Sequence, residues 1–224
     1  MQLRLNKKIF FYIFLIIFLS TINNKFFSEI KLKTIDKITI KGLEGKEKQE
    51  LLNNLSLLDL NDIFFLNKFE LIKKLEANKL IENYTVFKKY PSSLEIRISK
   101  TKFLANVIKD GKFFVLCSNG KLIETFDKNN NLPNIFGNYN KDSFFSLLKS
   151  LEKSNFELFK IKNLYFYKSG RWDIETNDNM IIKLPKKNLE TSLNLTFNLM
   201  INDKFENINI LDLRQDKQVI INGK

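Results

Sequence analysis

Histidine is absent from this chain of 224 residues, which has one cysteine, one tryptophan, seven glycines and three prolines. Without histidine, Ser-His and Cys-His nucleophile pairs are excluded. The single thiol, Cys117, has no partner for an internal disulfide and no second ligand for a zinc or haem site. It lies in the apolar run FFVLC, which favours a small buried side chain. We therefore expect no cofactor and no metal.

Basic residues outnumber acidic ones, and the formal net charge is +12. The chain also has 22 Phe and is rich in Lys, Asn and Ile, a uniform excess that resembles a codon bias. The charges are scattered, and no dense basic block lies among stacking aromatics, so we expect no nucleic-acid groove. An anionic membrane surface is the more natural neighbour for the excess charge. No small-molecule substrate is indicated.

A short apolar run, Ile9 to Ile22, follows a basic segment without acids. It predicts a cytoplasmic tail (residues 1–8), a transmembrane anchor (residues 9–27) and a remainder on the other side of the membrane, the topology of a single-pass type II protein. About 14 apolar residues rise only ~21 Å against a hydrocarbon core of ~30 Å, which also suits a cleaved signal peptide. Because no small-x-small cleavage site follows and Phe26 and Phe27 lengthen the apolar stretch, we favour a retained anchor and leave cleavage open.

Residues 35–100 predict a small α+β domain with the element order β-α-α-β-β. A short alternating strand comes first, and two helical stretches follow. Asn67 and Glu70 are expected to cap the second one. One face of the second helix is predicted to carry Phe69, Ile72 and Leu75. Val86 to Tyr90 and Leu94 to Ile98 then form a hairpin.

Residues 101–224 predict a mostly antiparallel β domain with two helices. Asn119-Gly120 is a strong hairpin turn, and Asp142 is expected to cap the first helix of this domain. Ile208 to Leu213 and Val219 to Ile221 close the chain as strands. The fold class is therefore α+β throughout, after the single N-terminal helix.

Several motifs resemble a known family. The passage Ile81 to Ile96 fits I-x-x-x-x-V-x-x-x-x-P-x-x-L-x-I, which looks like a POTRA domain. Further on, the chain carries Gly120-Lys121, L-P-x-x-x-G (Leu132 to Gly137), R-W-D-I (Arg171 to Ile174) and I-L-D-L-R (Ile210 to Arg214). In this order, and over nearly the whole chain, they resemble the FtsQ/DivIB family, bitopic membrane proteins of the bacterial division machinery.

The resemblance implies a non-enzymatic scaffold at the division septum that links early and late division proteins. It also implies a location in the bacterial inner membrane, with the bulk of the chain in the periplasm. In that family the C-terminal strand region binds the FtsB/FtsL pair. The last strands here are apolar and suit strand addition by a partner. The partner-binding residues expected by carry-over are Arg171, Ile210, Asp212, Arg214, Val219, Ile220 and Ile221.

Two other functions stay open. One is a different POTRA-containing module that binds polypeptides of the envelope. The other is a Ser-Lys hydrolase, because Ser99-x-x-Lys102 and Ser150-x-x-Lys153 have the spacing of the S-x-x-K motif. In this chain, however, S-x-N (Ser192) follows K-S-G (Lys168), which is the reverse of the penicillin-binding order.

Three residues of the R-W-D-I region have simpler interpretations. Trp172 lies in an alternating strand and is expected in the core. Asp173 and Glu175 are expected on a solvated face rather than as paired catalytic acids.

Overall fold

The computed structural model describes residues 7–21, 35–58, 63, 66–201, 208–215 and 218–223. The chain divides into two compact units. Unit 1 comprises Met1–Asn78 and Tyr84–Ser99, and unit 2 comprises Lys79–Asn83 and Lys100–Lys224.

The predicted transmembrane anchor over residues 9–27 is wrong. The helix in this region, α1, spans Lys7–Thr21, which is 15 residues. At 1.5 Å per residue it rises about 22 Å, well short of a hydrocarbon core of ~30 Å. Across the described residues, no helix combines the length and apolar character needed to cross a membrane. Residues 22–27 of the predicted anchor and residues 1–6 of the predicted tail lie outside the described part.

Unit 1 contains the predicted order β-α-α-β-β. Its elements after α1 are β1 (Lys37–Lys41), α2 (Gly45–Ser56), α3 (Lys68–Ala77) and most of β2 (Ile81–Lys89) and β3 (Ser93–Lys100). The first three residues of β2 and the last residue of β3 are assigned to unit 2. The three strands form one sheet in the order β1-β3-β2, and β1 runs parallel to β3 with Ile40 opposite Ile96. These two isoleucines are buried with leucines from both helices, so helices and sheet share one core.

The predicted buried face of α3 is wrong for two of its three residues. Phe69 is 73% exposed and Ile72 is also exposed, whereas Leu71 and Leu75 are buried. Asn67 caps the helix by accepting hydrogen bonds from the backbone of residues 69 and 70, as predicted. Leu71 and Leu75 are four residues apart and therefore lie on one face, which tertiary packing selects over the neighbouring face that carries Phe69.

Glu95 is a buried acid on the sheet face of unit 1 that is opposite its leucine-rich core. Its carboxylate lies 2.7 Å from Nε of Arg97 and 3.3 Å from Nζ of Lys41, and it also accepts a hydrogen bond from Lys89. These hydrogen bonds, led by those from Lys89 and Arg97, outweigh burial and lower the pKa of Glu95 to about 2. The carboxylate is thus held in its ionised form.

Glu95 should stabilise unit 1 in a pH-dependent way. Because its pKa in the folded chain is lower than the ordinary 4.5, its contribution is complete above about pH 4.5 and is lost as the pH falls toward 2. We expect Glu95→Gln to lower the free energy of unfolding at neutral pH and to flatten its decline below pH 4.5. Denaturant unfolding at several pH values measures this.

The control is Glu124→Gln, which removes a half-exposed carboxylate from its ion pair with Lys112 and should change stability by less than ~1 kcal/mol. If the free energy of unfolding of Glu95→Gln declines below pH 4.5 as steeply as that of the parent chain, Glu95 is not the cause of the decline.

Unit 2 is built around a nine-stranded mixed sheet in the order β12-β11-β10-β9-β8-β7-β4-β5-β6. Its strands are β4 (Phe103–Lys109), β5 (Lys112–Cys117), β6 (Leu122–Thr125), β7 (Asn134–Phe136), β8 (Ile161–Phe166), β9 (Trp172–Thr176), β10 (Ile181–Lys183), β11 (Ile208–Asp212) and β12 (Ile220–Gly223). The helices are α4 (Lys141–Lys153) and α5 (Leu189–Met200), with a 3-10 turn at Leu158–Lys160. Three of the strand pairs are parallel, β4 with β7, β7 with β8 and β10 with β11. The other five pairs are antiparallel, so the sheet is mostly antiparallel, as predicted. The predicted cap of α4 at Asp142 is wrong, because the helix is capped by Asn140.

Trp172 lies in the core of unit 2, as its alternating strand predicts. It is 2% exposed, and its ring packs against those of Phe166, Phe144 and Tyr139 at centroid distances of 4.8, 6.2 and 6.0 Å. One row of this core crosses four neighbouring strands in register, through Leu164, Ile174, Ile182 and Leu211. The helices α4 and α5 contribute to the same cluster, so they cover this face of the sheet.

Gly137, the last residue of the L-P-x-x-x-G motif, has no room for a side chain. Its φ is +95°, and an added Cβ would lie 2.1 Å from the carbonyl oxygen of Phe166. Glycine is therefore required both by the backbone conformation and by the close approach of β8.

Gly137→Ala should destabilise unit 2 by about 3 kcal/mol or more, because it combines left-handed strain with a backbone clash. Gly111→Ala is the matched control. Its φ is +75° and an added Cβ meets nothing within 4 Å, so it should cost only about 1–2 kcal/mol. Urea unfolding of both variants measures the difference, and equal losses would show that the close approach to Phe166 is unimportant.

Candidate partner-binding site

β12 forms one edge of the sheet in unit 2. It pairs antiparallel with β11, so that Ile220 lies opposite Asp212 and Ile221 opposite Leu211. Among the described strands, none lies on its other side. The side chains at this edge stay exposed, at 37% for Val219, 53% for Ile220 and 39% for Ile221. Natural sheets ordinarily protect such apolar edges, which makes this one a candidate for pairing with another chain.

The register places the edge side chains on two different faces. Ile221 shares the face of Leu211, which is buried under the helices, whereas Ile220 shares the opposite face with Asp212. A strand added to this edge would therefore contact Ile221 on the face that packs under the helices. On the other face it would contact Ile220, which lies next to charged side chains.

A row of charged residues crosses the sheet next to this edge. Asp173 on β9 is opposite Lys183 on β10, and Lys183 is in turn opposite Asp212 on β11. Side chains at directly opposed positions lie on the same face, so the row alternates in sign and ends beside Ile220.

Arg214 holds the carboxylate of Asp212. Its Nε donates to Oδ1 at 2.8 Å and to Oδ2 at 3.0 Å, Nη2 also donates to Oδ2, and its backbone N–H donates to Oδ1 at 3.1 Å. These charge-assisted hydrogen bonds lower the pKa of Asp212. The Arg214 guanidinium is thereby fixed at the end of β11 while 40% of its side chain remains exposed.

Arg171 has a looser arrangement at the start of β9. Its guanidinium lies 4.4 Å from the centroid of the Tyr167 ring, and its Nε is 3.6 Å from Oδ1 of Asp173. Within the described residues, both of these buried atoms lack a hydrogen-bond partner. Burial is the main cause of a raised pKa for Asp173, which Arg171 only partly offsets. The pair is therefore incompletely satisfied, in contrast to Asp212 and Arg214.

The structure brings several of the sequence-predicted residues together. Asp212 and Arg214 form one ion pair beside Ile220, and the charges of Arg214 and Asp173 act on each other. Arg171 borders the same group through Asp173. Ile210 is two residues before Asp212 on β11 and therefore lies on the same face, opposite Asn222 on β12.

Two residues of this group, Tyr167 and Lys183, were not singled out in the sequence, and a third, Asp173, was predicted on a solvated face. The solvated interpretation of Asp173 is wrong, since the residue is 3% exposed. Glu175 is half-buried and accepts hydrogen bonds from Tyr165 and Asn163. The alternation of Asp173 and Glu175 on one strand did indicate a common face, but it carried no information on how deeply that face is covered.

No metal centre is found in the described part of the chain, where no group of three His, Cys, Asp or Glu side chains is close enough to hold an ion. The chemistry available at this site is ion pairing and backbone hydrogen bonding to a polypeptide.

Asp173 and Asp212 should respond oppositely to removal of their charge. The raised pKa of Asp173 means that its ionised form costs stability above that pKa, so Asp173→Asn should leave the free energy of unfolding at pH 7 unchanged or raise it by about 1 kcal/mol. The lowered pKa of Asp212 means that its ionised form stabilises the fold at pH 7, so Asp212→Asn should cost about 1–2 kcal/mol. Denaturant unfolding at pH 7 tests the signs, and a larger loss for Asp173→Asn would contradict them.

The chain matches two family descriptions. Residues 33–100 match "POTRA domain, FtsQ-type", and residues 105–214 match "Cell division protein FtsQ/DivIB, C-terminal".

Similar proteins carry the same family names. Cell division protein DivIB of Clostridium botulinum (strain Loch Maree / Type A3) is 31% identical over 153 residues, which cover 67% of this chain and 58% of that protein. Cell division protein FtsQ of Bradyrhizobium diazoefficiens is 24% identical over 194 residues, covering 84% of this chain and 56% of that protein. The matches thus take in little more than half of the length of these relatives.

A solved structure of the major extracytoplasmic domain of DivIB from Geobacillus stearothermophilus aligns with 42% of this chain and 87% of its own, at a TM-score of 0.34 and 18% identity. That score is too low to bear on the fold.

Taken together, the two matched ranges include most of residues 33–214 in consecutive order. The chain therefore belongs to the FtsQ/DivIB family of cell-division proteins.

Proposed function

We propose that this chain is a non-enzymatic scaffold of the bacterial division machinery that binds an FtsB/FtsL-type partner at β12 and links early and late division proteins. It would act at the division septum, with its folded units on the periplasmic side of the inner membrane. Residues 35–100 and 101–224 would act as its two domains, the first of them in recruitment.

The exposed edge of β12 is the observation that carries the proposal. A partner strand added there would satisfy the outward backbone groups of β12 by main-chain hydrogen bonds, which supply affinity. Exposed Val219, Ile220 and Ile221 would lose apolar surface to the same partner.

Charge next to the edge supplies a reason for specificity. Arg171, Lys183 and Arg214 are three cations near two acids, Asp173 and Asp212, which leaves a local excess of one positive charge. An acidic side chain on the partner strand would be favoured there, and a basic one disfavoured. Ile210, on the same face as Asp212, would extend the contact along β11.

The geometry around Ser150 weighs against the Ser-Lys hydrolase. Its hydroxyl donates to the backbone carbonyl of Ser146 within α4, and Lys153 forms an ion pair of 3.4 Å with Glu190. Neither group is arranged as a nucleophile with its base. The match to the C-terminal FtsQ/DivIB description likewise favours the division scaffold over another POTRA-containing module.

Ile220→Asp should abolish partner binding. It places a charge at the proposed centre of the strand interface, where a hot-spot residue is worth at least ~2 kcal/mol, or about 30-fold in affinity. Small FtsB/FtsL-type proteins that co-purify with the parent chain, quantified by mass spectrometry, should be depleted with the variant.

The matched control is Ile108→Asp. Ile108 is 55% exposed, against 53% for Ile220, but it lies on β4, an interior strand of the same sheet. We expect Ile108→Asp to retain the partner. Retention by both variants would move the site away from β12, and the absence of any division protein with the parent chain would refute the scaffold function.

A further inference from the structure

One face of the sheet in unit 1 carries a concentration of positive charge, which we name the cationic face. It consists of Lys37 and Lys41 on β1, Lys89 on β2 and Arg97 on β3, all exposed. The register puts Lys41 directly opposite Arg97 and places Lys37 on the same side of β1. Residues 37–41 and 84–99 contain a single acid, Glu95.

Glu95 organises the cationic face without neutralising it. Its side chain is 3% exposed, while those of Lys41, Lys89 and Arg97 are 57%, 59% and 58% exposed. The carboxylate is therefore buried beneath the three cations and holds them close together, while the cations remain accessible to solvent. Four cations against one acid leave an excess of three positive charges directed outward.

Two further features describe this face. The guanidinium of Arg97 lies 4.6 Å from the centroid of the Phe87 ring, which is 38% exposed among the cations. Hydrogen bonds from Lys89 and Arg97 lower the pKa of Glu95 to about 2, so its carboxylate stays ionised next to the cations. Lys88 is excluded from the cationic face, because it donates to the backbone carbonyl of Ile63.

We propose that the cationic face binds an anionic lipid surface through phosphate groups of several headgroups. Its charges are spread over three strands of a sheet, and three of the four are lysines, which act as flexible point charges on phosphate rather than as planar forks for a carboxylate. Clusters of four or more lysines and arginines are typical of surfaces that bind anionic lipid headgroups.

An acidic polypeptide is the less favoured ligand. Peptides that add to a sheet use its free edge, whereas the cationic face presents only side chains. Acidic motifs are also bound by clusters of arginines, but only one of the four cations here is an arginine. This inference concerns unit 1 and is independent of the partner-binding edge in unit 2, so each is testable without the other.

The experiment measures sedimentation of the full chain with vesicles. Vesicles of equal parts phosphatidylglycerol and phosphatidylcholine are compared with vesicles of phosphatidylcholine alone. The test variant is Lys41→Gln/Lys89→Gln, which leaves Glu95 paired with Arg97. The control, Lys109→Gln/Lys149→Gln, removes two exposed lysines from unit 2 and gives the same net charge. Since α1 is present throughout, any binding that it contributes is common to all proteins.

We expect the test variant to bind the anionic vesicles more weakly by about fivefold for each lysine removed, and the difference to diminish at high salt. The control variant should bind as the parent chain does, and all proteins should behave alike on phosphatidylcholine. Lys37→Gln, which removes a lysine outside the Glu95 ion pairs, should weaken binding about fivefold without altering the melting temperature.

Three results would overturn the proposal. Equal losses in the test and control variants would show that only net charge matters. Binding that does not depend on phosphatidylglycerol would exclude recognition of anionic lipid. Loss of binding to poly-glutamate in the test variant, with vesicle binding unchanged, would identify an acidic polypeptide as the ligand instead.

Discussion

The burial of one face of each sheet beneath two helices is the constraint on which the rest of the structure depends. In unit 2 the row through Leu164, Ile174, Ile182 and Leu211 is at most 1% exposed, and it fixes the pairing of four strands at once. A slip of one residue in any of these strands would turn its apolar side chains to the opposite face. Everything on that opposite face is positioned as a consequence.

Buried acids on the sheet faces that point away from the helices differ in pKa because their hydrogen-bond partners differ. Glu95 and Asp212 are held by cations that hydrogen-bond directly to the carboxylate, and both pKa values are lowered. Asp173 is as buried, but its contact with Arg171 is an ion pair of 3.6 Å without a hydrogen bond, and its pKa is raised. At Asp173, burial outweighs the charge of Arg171 and the hydrogen bond from Tyr167, whereas at Glu95 and Asp212 the hydrogen bonds from cations outweigh burial.

The sequence predicted the elements that depend on local signals. The hairpin of β2 and β3, the cap at Asn67, the turn at Asn119-Gly120 and the position of Trp172 follow from neighbouring residues. The parallel pairing of β10 with β11 joins segments separated by α5, and no local pattern reports it. The same limit explains why the burial of Asp173 was missed.

Two predictions failed, one on the buried face of a helix and one on the length of a helix. In α3, the faces through Phe69 and through Leu71 have similar apolar spacing, and only contact with the sheet distinguishes them. The described helix α1 spans Lys7–Thr21, which is shorter than the anchor predicted over residues 9–27. The predicted partner residues Arg171, Ile210, Asp212, Arg214 and Val219 to Ile221 rest on resemblance, and their grouping beside β12 makes them a prediction worth testing.

Two neighbouring residues of β12 have different roles, one in covering the core and the other on the opposite face of the sheet. Ile221 lies opposite Leu211, so it helps to cover the edge of the core, and its replacement would alter folding and binding together. Ile220 lies opposite Asp212 on the other face and covers no part of the apolar row. Since β12 is held on one side only, a partner strand would also stabilise β12 itself, and the free energy of binding would include that ordering. A substitution at Ile220 therefore reports on recognition with the least interference from the fold.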